Sequence, residues 1–269
     1  MTEAMPDLSS EVAREMRRRG ALETRQWGAM KNRTERRAFN AVASELLKLW
    51  TMPAPMMVAL GTIIGGAVIS WALARSASQA GPHDVLAHVM PFLQVGAIVL
   101  GVLAVSQEYV GSQRLTTLRA TPSRVTLAWG KTVAMMTAQA SVAVVATATS
   151  GAAAVLAKGD VPEVDGWRLG GFAIYLVCAG MISYGVALIM RTAAPSLVMS
   201  LALLILLPPV MRPLTSYGAW LPSELGRVLA DHGVLTGEGP SVLAAGVGLA
   251  GWVLLAVIGG TVTLVKRDG

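Results

Sequence analysis

The sequence predicts an all-α integral membrane fold with six transmembrane helices. Three observations carry that expectation. Only 14% of the 269 residues are charged, against about 25% in soluble domains. Hydrophobic residues make up 54% and mean hydropathy is +0.56. Six apolar runs each come close to or exceed the roughly 20 residues that carry a helix across a bilayer. Such runs must be helical, because lipid offers the backbone no hydrogen bonds.

Residues 1–38 are polar and arginine-rich and hold no apolar run, so they read as a flexible basic cytoplasmic tail, with a helix around residues 9–19. Arg17, Arg18 and Arg19 lead into Gly20 and more polar chain, not into an h-region, and no cleaved leader is expected there. Residues 39–269 read as one six-span domain. Its first element is amphipathic. Phe39, Val42, Leu46, Leu49 and Trp50 recur at helical spacing, with Glu45 and Lys48 on other sides. This is the pattern of an interfacial helix with Lys48 and Trp50 at headgroup depth. Pro53 and Pro55 break it before the first span.

The spans are expected at 56–74, 85–106, 126–157, 169–190, 193–211 and 242–265. The third exceeds what a bilayer needs and must tilt or protrude. Only Arg191-Thr192 separates the fourth from the fifth. The segment 212–241 is long and partly apolar, with Tyr217, Trp220, Leu221, Leu225, Val228 and Leu229. Pro222-Ser223-Glu224 suits a helix start there, so short helices at or dipping into the outer leaflet are expected between spans five and six.

Orientation follows from the basic residues. With both termini cytoplasmic, 17 of the 22 lysines and arginines lie on the cytoplasmic side. The other side holds seven acids, Asp84, Asp160, Glu163, Asp165, Glu224, Asp231 and Glu238. Basic charge spread over membrane flanks points to topology and anionic lipid, and no nucleic-acid partner is expected.

Several chemistries are disfavoured. Cys178 is the sole cysteine and lies in an apolar stretch, while His83, His88 and His232 are scattered, so no metal site is expected. Gly130-Lys131-Thr132 mimics the end of a phosphate loop, but Val125 stands where the first glycine belongs. No H-E-x-x-H or G-x-S-x-G occurs, so the chain is not read as an enzyme. The spans carry no acid at mid-depth, which weighs against an ion-coupled carrier. Gln94, Gln139, Ser183 and Tyr184 are expected to make interhelical hydrogen bonds. Gly61 and Gly65 form a G-x-x-x-G suited to close helix packing.

The distinctive segment is the cytoplasmic loop from Gln107 to Arg124. Leu115, Leu118 and Arg119 have helical spacing, and Pro122 stops the helix. Physically it reads as an amphipathic connector.

The loop's residues Glu108-Tyr109, Gly111-Ser112, Arg114, Thr116-Thr117-Leu118, Ala120-Thr121-Pro122 and Arg124, followed by Lys131, resemble type-two ABC transporter permeases, the membrane-spanning subunits of ABC exporters. So do Ser44-Glu45-Leu46, Lys48-Leu49 and Thr51 before the first span, Leu206-Leu207-Pro208-Pro209, Trp220-Leu221-Pro222 and the final Lys266-Arg267-Asp268. The resemblance covers about residue 40 to 269, and residues 1–38 depart from it. It implies a permease in the inner or plasma membrane exporting a lipophilic or amphipathic compound: a drug, antibiotic, peptide or lipid. It implies a separate P-loop ATPase holding ATP and magnesium, a second copy or a paralogous permease, and no cofactor in this chain. The loop would be a coupling helix in which Glu108, Arg114, Leu118, Arg119 and Arg124 meet the ATPase. Glu45, Lys48 and Trp50 would belong to a connecting helix. A substrate cavity between two permeases would be lined by Phe92, Gln94, Met199 and Leu203. The competing readings are a secondary transporter or channel-like protein independent of an ATPase, and a membrane immunity or scaffold protein.

Overall fold

The computed structural model describes residues 40, 42–76, 81–109, 124–159, 166–230 and 239–267. The expected tail, 1–38, lies outside them. Every regular element among the described residues is helical. A short helix α1 (42–51) precedes α2 (Pro53–Ser76), α3 (Pro82–Tyr109), α4 (Arg124–Lys158) and α5 (Gly166–Met190). Then come α6 (Ala193–Met211), α7 (Pro222–Ala230) and α8 (Val242–Arg267). Six of them, α2 to α6 and α8, are long and apolar enough to cross a membrane. That is the architecture of a multi-pass membrane protein, and each of the six expected spans falls within its helix.

Local chemistry sets the boundaries. Met52 is a bend, and Pro53 opens α2 at the position where a missing N–H is harmless. Asp84 closes the start of α3 by accepting from Gly81 N at 2.8 Å. At 35 residues α4 is the longest helix, about 50 Å at 1.5 Å per residue. Between α5 and α6 the backbone reverses at Arg191, whose φ is 61°. This is the left-handed region, uncommon outside glycine. The turn is fastened twice, by Arg191 N on Ala187 O at 2.8 Å and by Arg191 Nη2 on Thr263 O of α8 at 3.1 Å.

The bundle is built round α5, which packs against α3, α4, α6, α7 and α8. Its buried face includes Phe172, Tyr175, Leu176, Ala179, Ile182 and Leu188. By contrast α2 and α8 expose Met57, Ile64, Val68, Val247, Leu254 and Leu255. Apolar side chains on the outside are what a lipid solvent permits.

Two expectations about helix faces need correction. Gly61 and Gly65 meet nothing within 4 Å in the chain. The glycine of α2 that packs is Gly66, against Leu93 and Ser150. One residue turns a helix by about 100°, so Gly66 looks away from the Gly61–Gly65 face. Glu45 was placed away from the apolar face of α1, yet it is only 8% exposed. It shares the docked face with Val42, Leu46 and Leu49 because it reaches two lysines. Lys48 Nζ lies 2.7 Å from Glu45 Oε1, and Lys131 Nζ of α4 lies 3.4 Å from Glu45 Oε2. Leu47 and Trp50 point outward.

Candidate functional site

Two of the buried polar groups, Gln94 and Glu224, lie with Tyr175 at the end of the bundle away from α1, where α7 enters it. Two glycines let α7 approach α5. A Cβ on Gly226 would fall on the Tyr175 ring, and one on Gly171 would meet the Leu229 carbonyl. Tyr175 lies nine residues into α5, about 14 Å from its start. So α7 is an inserted segment, with Leu225, Val228, Leu229 and Ala230 in the core. A 3-10 turn, Ser216–Trp220, leads into it, capped by Thr215 Oγ1 accepting from Tyr217 N at 3.1 Å. Trp252 Nε1 of α8 donates to Trp220 O at 3.0 Å, fixing the entry.

The insertion carries Glu224 inside. Arg212 Nη1 donates to Glu224 Oε2 at 2.9 Å, and Arg227 Nη1 stands 3.6 Å from Oε1. Both arginine side chains remain half-exposed while the carboxylate is buried. Beside it, α6 departs from α-helical form as a π turn over Ala202–Leu206. Pro208 and Pro209 explain why. A helical carbonyl accepts from the residue four or five further on, and neither proline has an N–H to give to Leu204 O. Leu204 is buried, so that carbonyl needs another donor. Gln94 Nε2 of α3 supplies it at 3.0 Å.

Between these groups lies a cavity of about 420 Å³ bordered by α3, α5, α6 and α7. Its polar lining is His88, Gln94, Tyr175, Ser223, Glu224 and Arg227. Its apolar lining includes Met90, Phe172, Leu204, Ile205 and Pro208. His88 Nδ1 donates to Asp84 O at 2.6 Å. Tyr175 is 1% exposed, and its hydroxyl has no hydrogen-bond partner. Gln94 and Ser223 lie close enough to interact with the hydroxyl, but neither makes a hydrogen bond of full geometry with it. Among the described residues no cluster of histidine, cysteine, aspartate and glutamate is suited to a metal ion.

The residues singled out from sequence fall in three places. Arg114, Leu118 and Arg119 lie outside the described residues, while Glu108 and Arg124 occupy the last turn of α3 and the start of α4. Glu45, Lys48 and Trp50 are on α1, the first two in the ion pairs at the base of α4. Phe92 and Met199 are 57% and 47% exposed on the neighbouring helices α3 and α6. Gln94 is buried and makes the interhelical bond expected of it, and Leu203 packs against the core. Gln139 does likewise, Nε2 donating to Ala97 O at 2.8 Å. Ser183 instead bonds within its own helix, to Ala179 O at 2.9 Å. Gly130, Lys131 and Thr132 are part of continuous α4, with Thr132 Oγ1 on Ala128 O at 2.9 Å.

Sequence reasoning missed Tyr175 and the burial of Glu224. An available signal was the spacing Glu224 to Arg227, an i,i+3 ion pair on a helix whose other residues, Ser223 apart, are apolar. Comparison with protein-family models and with curated proteins finds no match for this chain.

Proposed function

We propose that the chain is the membrane-spanning permease subunit of an ATP-driven exporter in the cell membrane, with both termini cytoplasmic and its ATPase on a separate polypeptide. The observation that carries the reading is the docking of α1. A buried glutamate joins this helix, which precedes the first span, to Lys131 at the base of α4, the helix that follows the 107–124 loop. An ATPase beneath that loop would therefore act on two cytoplasmic elements already tied together. The inserted α7 follows the Leu206–Pro209 end of α6, in the order that the resemblance to type-two permeases implies. The cargo is a lipophilic or amphipathic compound, and a second copy or a paralogous permease completes the pore, with Phe92 and Met199 on the uncovered apolar face.

The test is purification from native membranes. A P-loop ATPase should copurify, and Glu108→Ala or Arg119→Glu should abolish its binding or its stimulation by substrate without preventing insertion. Transport by the chain alone, driven by an ion gradient, would instead establish a secondary transporter. Topology is tested separately. Cysteines at Ser10, Ser112 and Gly269 should react only from the cytoplasm, and those at Gly81, Gly159 and Gly237 from outside. Outside labelling at Ser112 would remove the ATPase contact.

A further inference from the structure

We infer that the cavity between α3, α5, α6 and α7 binds the uncharged, hydroxyl- or amide-bearing head of a small amphipathic molecule. This inference rests on the cavity of this chain and not on the exporter reading.

Three features select the head group. The first is the Tyr175 hydroxyl, buried at the cavity wall with no partner. A buried hydroxyl without a hydrogen bond is costly and uncommon in native proteins, so the site offers a donor awaiting an acceptor. The second is Glu224. Its Oε2 is occupied by Arg212 at 2.9 Å, but Arg227 stands 3.6 Å from Oε1. That is beyond the usual N–H···O range of about 2.7–3.2 Å, so Oε1 can still accept. The third is charge. The carboxylate already lies between two guanidinium groups, so an ammonium head would meet Arg227 and a carboxylate head would meet Glu224. A neutral group that both accepts from Tyr175 and donates to Glu224 suits the site better than an ion of either sign.

Shape and lining select the rest of the molecule. A volume of about 420 Å³ falls within the range of small-ligand pockets, about 300–1,000 Å³. Phe172, Met90, Leu204 and Pro208 form an apolar wall beside the polar groups. Water alone would satisfy Tyr175 but would wet that wall. Ala87, Pro91 and Pro209 are exposed at the rim, so the mouth lies between α3 and α6 and a hydrocarbon tail can extend through it.

The experiment uses the full chain in lipid nanodiscs with no ATPase. A diazirine-bearing analogue of 1-monooctanoylglycerol is photo-crosslinked and its sites are mapped by mass spectrometry. Unlabelled monooctanoylglycerol, octanoate and octylammonium compete. Labelling should fall on the cavity segments of α3, α5 and α7. The neutral glyceride should compete about tenfold better than either ion, as expected when an ionic head must enter beside a like charge. Tyr175→Phe keeps the ring on which Gly226 rests and should weaken labelling about fivefold, the worth of one neutral hydrogen bond. Ile205→Trp fills the cavity from α6 and should abolish labelling, which provides a second variant if the first does not fold. Equal competition by the charged probes, labelling unchanged in both variants, or labelling spread over the outer faces of α2 and α8 would each overturn the inference.

Discussion

Gln94 should stabilise the fold only because Pro208 and Pro209 follow Leu204. In Gln94→Leu the side-chain volume is nearly kept, so packing changes little. What is lost is the donor to a buried carbonyl, which no backbone N–H of α6 can replace. An unsatisfied buried acceptor costs about 1–3 kcal/mol in water-soluble proteins, while interhelical bonds in membranes average about 0.6 kcal/mol. With Leu204 buried and no backbone N–H of α6 able to replace the amide, a cost of about 1–2 kcal/mol is expected. Pro208→Ala restores an N–H four residues after Leu204, so in that background the same glutamine change should cost less than about 0.5 kcal/mol. The double-mutant cycle should thus give a coupling of about 1 kcal/mol. Reversible unfolding in mixed micelles, followed by tryptophan fluorescence, measures all four proteins. An equal cost of Gln94→Leu in both backgrounds would refute the argument that proline creates the need for the glutamine.

Three further outcomes follow from the packing. Lys131→Met should leave Glu45 with Lys48 alone and loosen α1, raising hydrogen exchange over 42–51 several-fold while α5 stays protected; unchanged exchange would mean the 3.4 Å pair does not hold α1. Gly226→Ala should destabilise by about 1–3 kcal/mol through the clash with the Tyr175 ring, despite the roughly 0.5–1 kcal/mol that alanine gains in a helix; a more stable variant in a thermal melt would show that α7 can back away. Arg191→Gly should melt above Arg191→Ala, by about 1 kcal/mol in stability, because both lose the bond to Thr263 but only alanine keeps the cost of positive φ.

Hydropathy made the six spans legible, and punctuation made their joints legible. Pro53, the Arg191-Thr192 link and Pro222-Ser223-Glu224 all mark real boundaries. The faces were not legible. Gly61 and Gly65 carry a packing motif, but on a helix apolar all round nothing in the sequence says which side meets protein and which meets lipid. Glu45 and Glu224 were read as surface acids because acids usually are. Each is buried instead by cations, one from outside its own helix in both cases: Lys131 for Glu45 and Arg212 for Glu224. Such pairings span 86 and 12 residues, and periodicity within one helix does not report them. The cavity is likewise a product of assembly, since four helices contribute and Tyr175 has no polar neighbour in sequence to announce it.

The two side-chain fasteners near the α1 end have a mechanical consequence. Glu45 and Lys131 join α1 to α4, whereas Arg191 and Thr263 join the α5–α6 corner to α8. The two joints share no helix. Between the groups they hold runs α3, and it is stitched to each by one glutamine amide: Gln139 of α4 bonds to Ala97, and Gln94, three residues before Ala97, bonds to α6. Relative motion of the two groups would load α3 within a single turn, alongside the direct packing of α4 on α5.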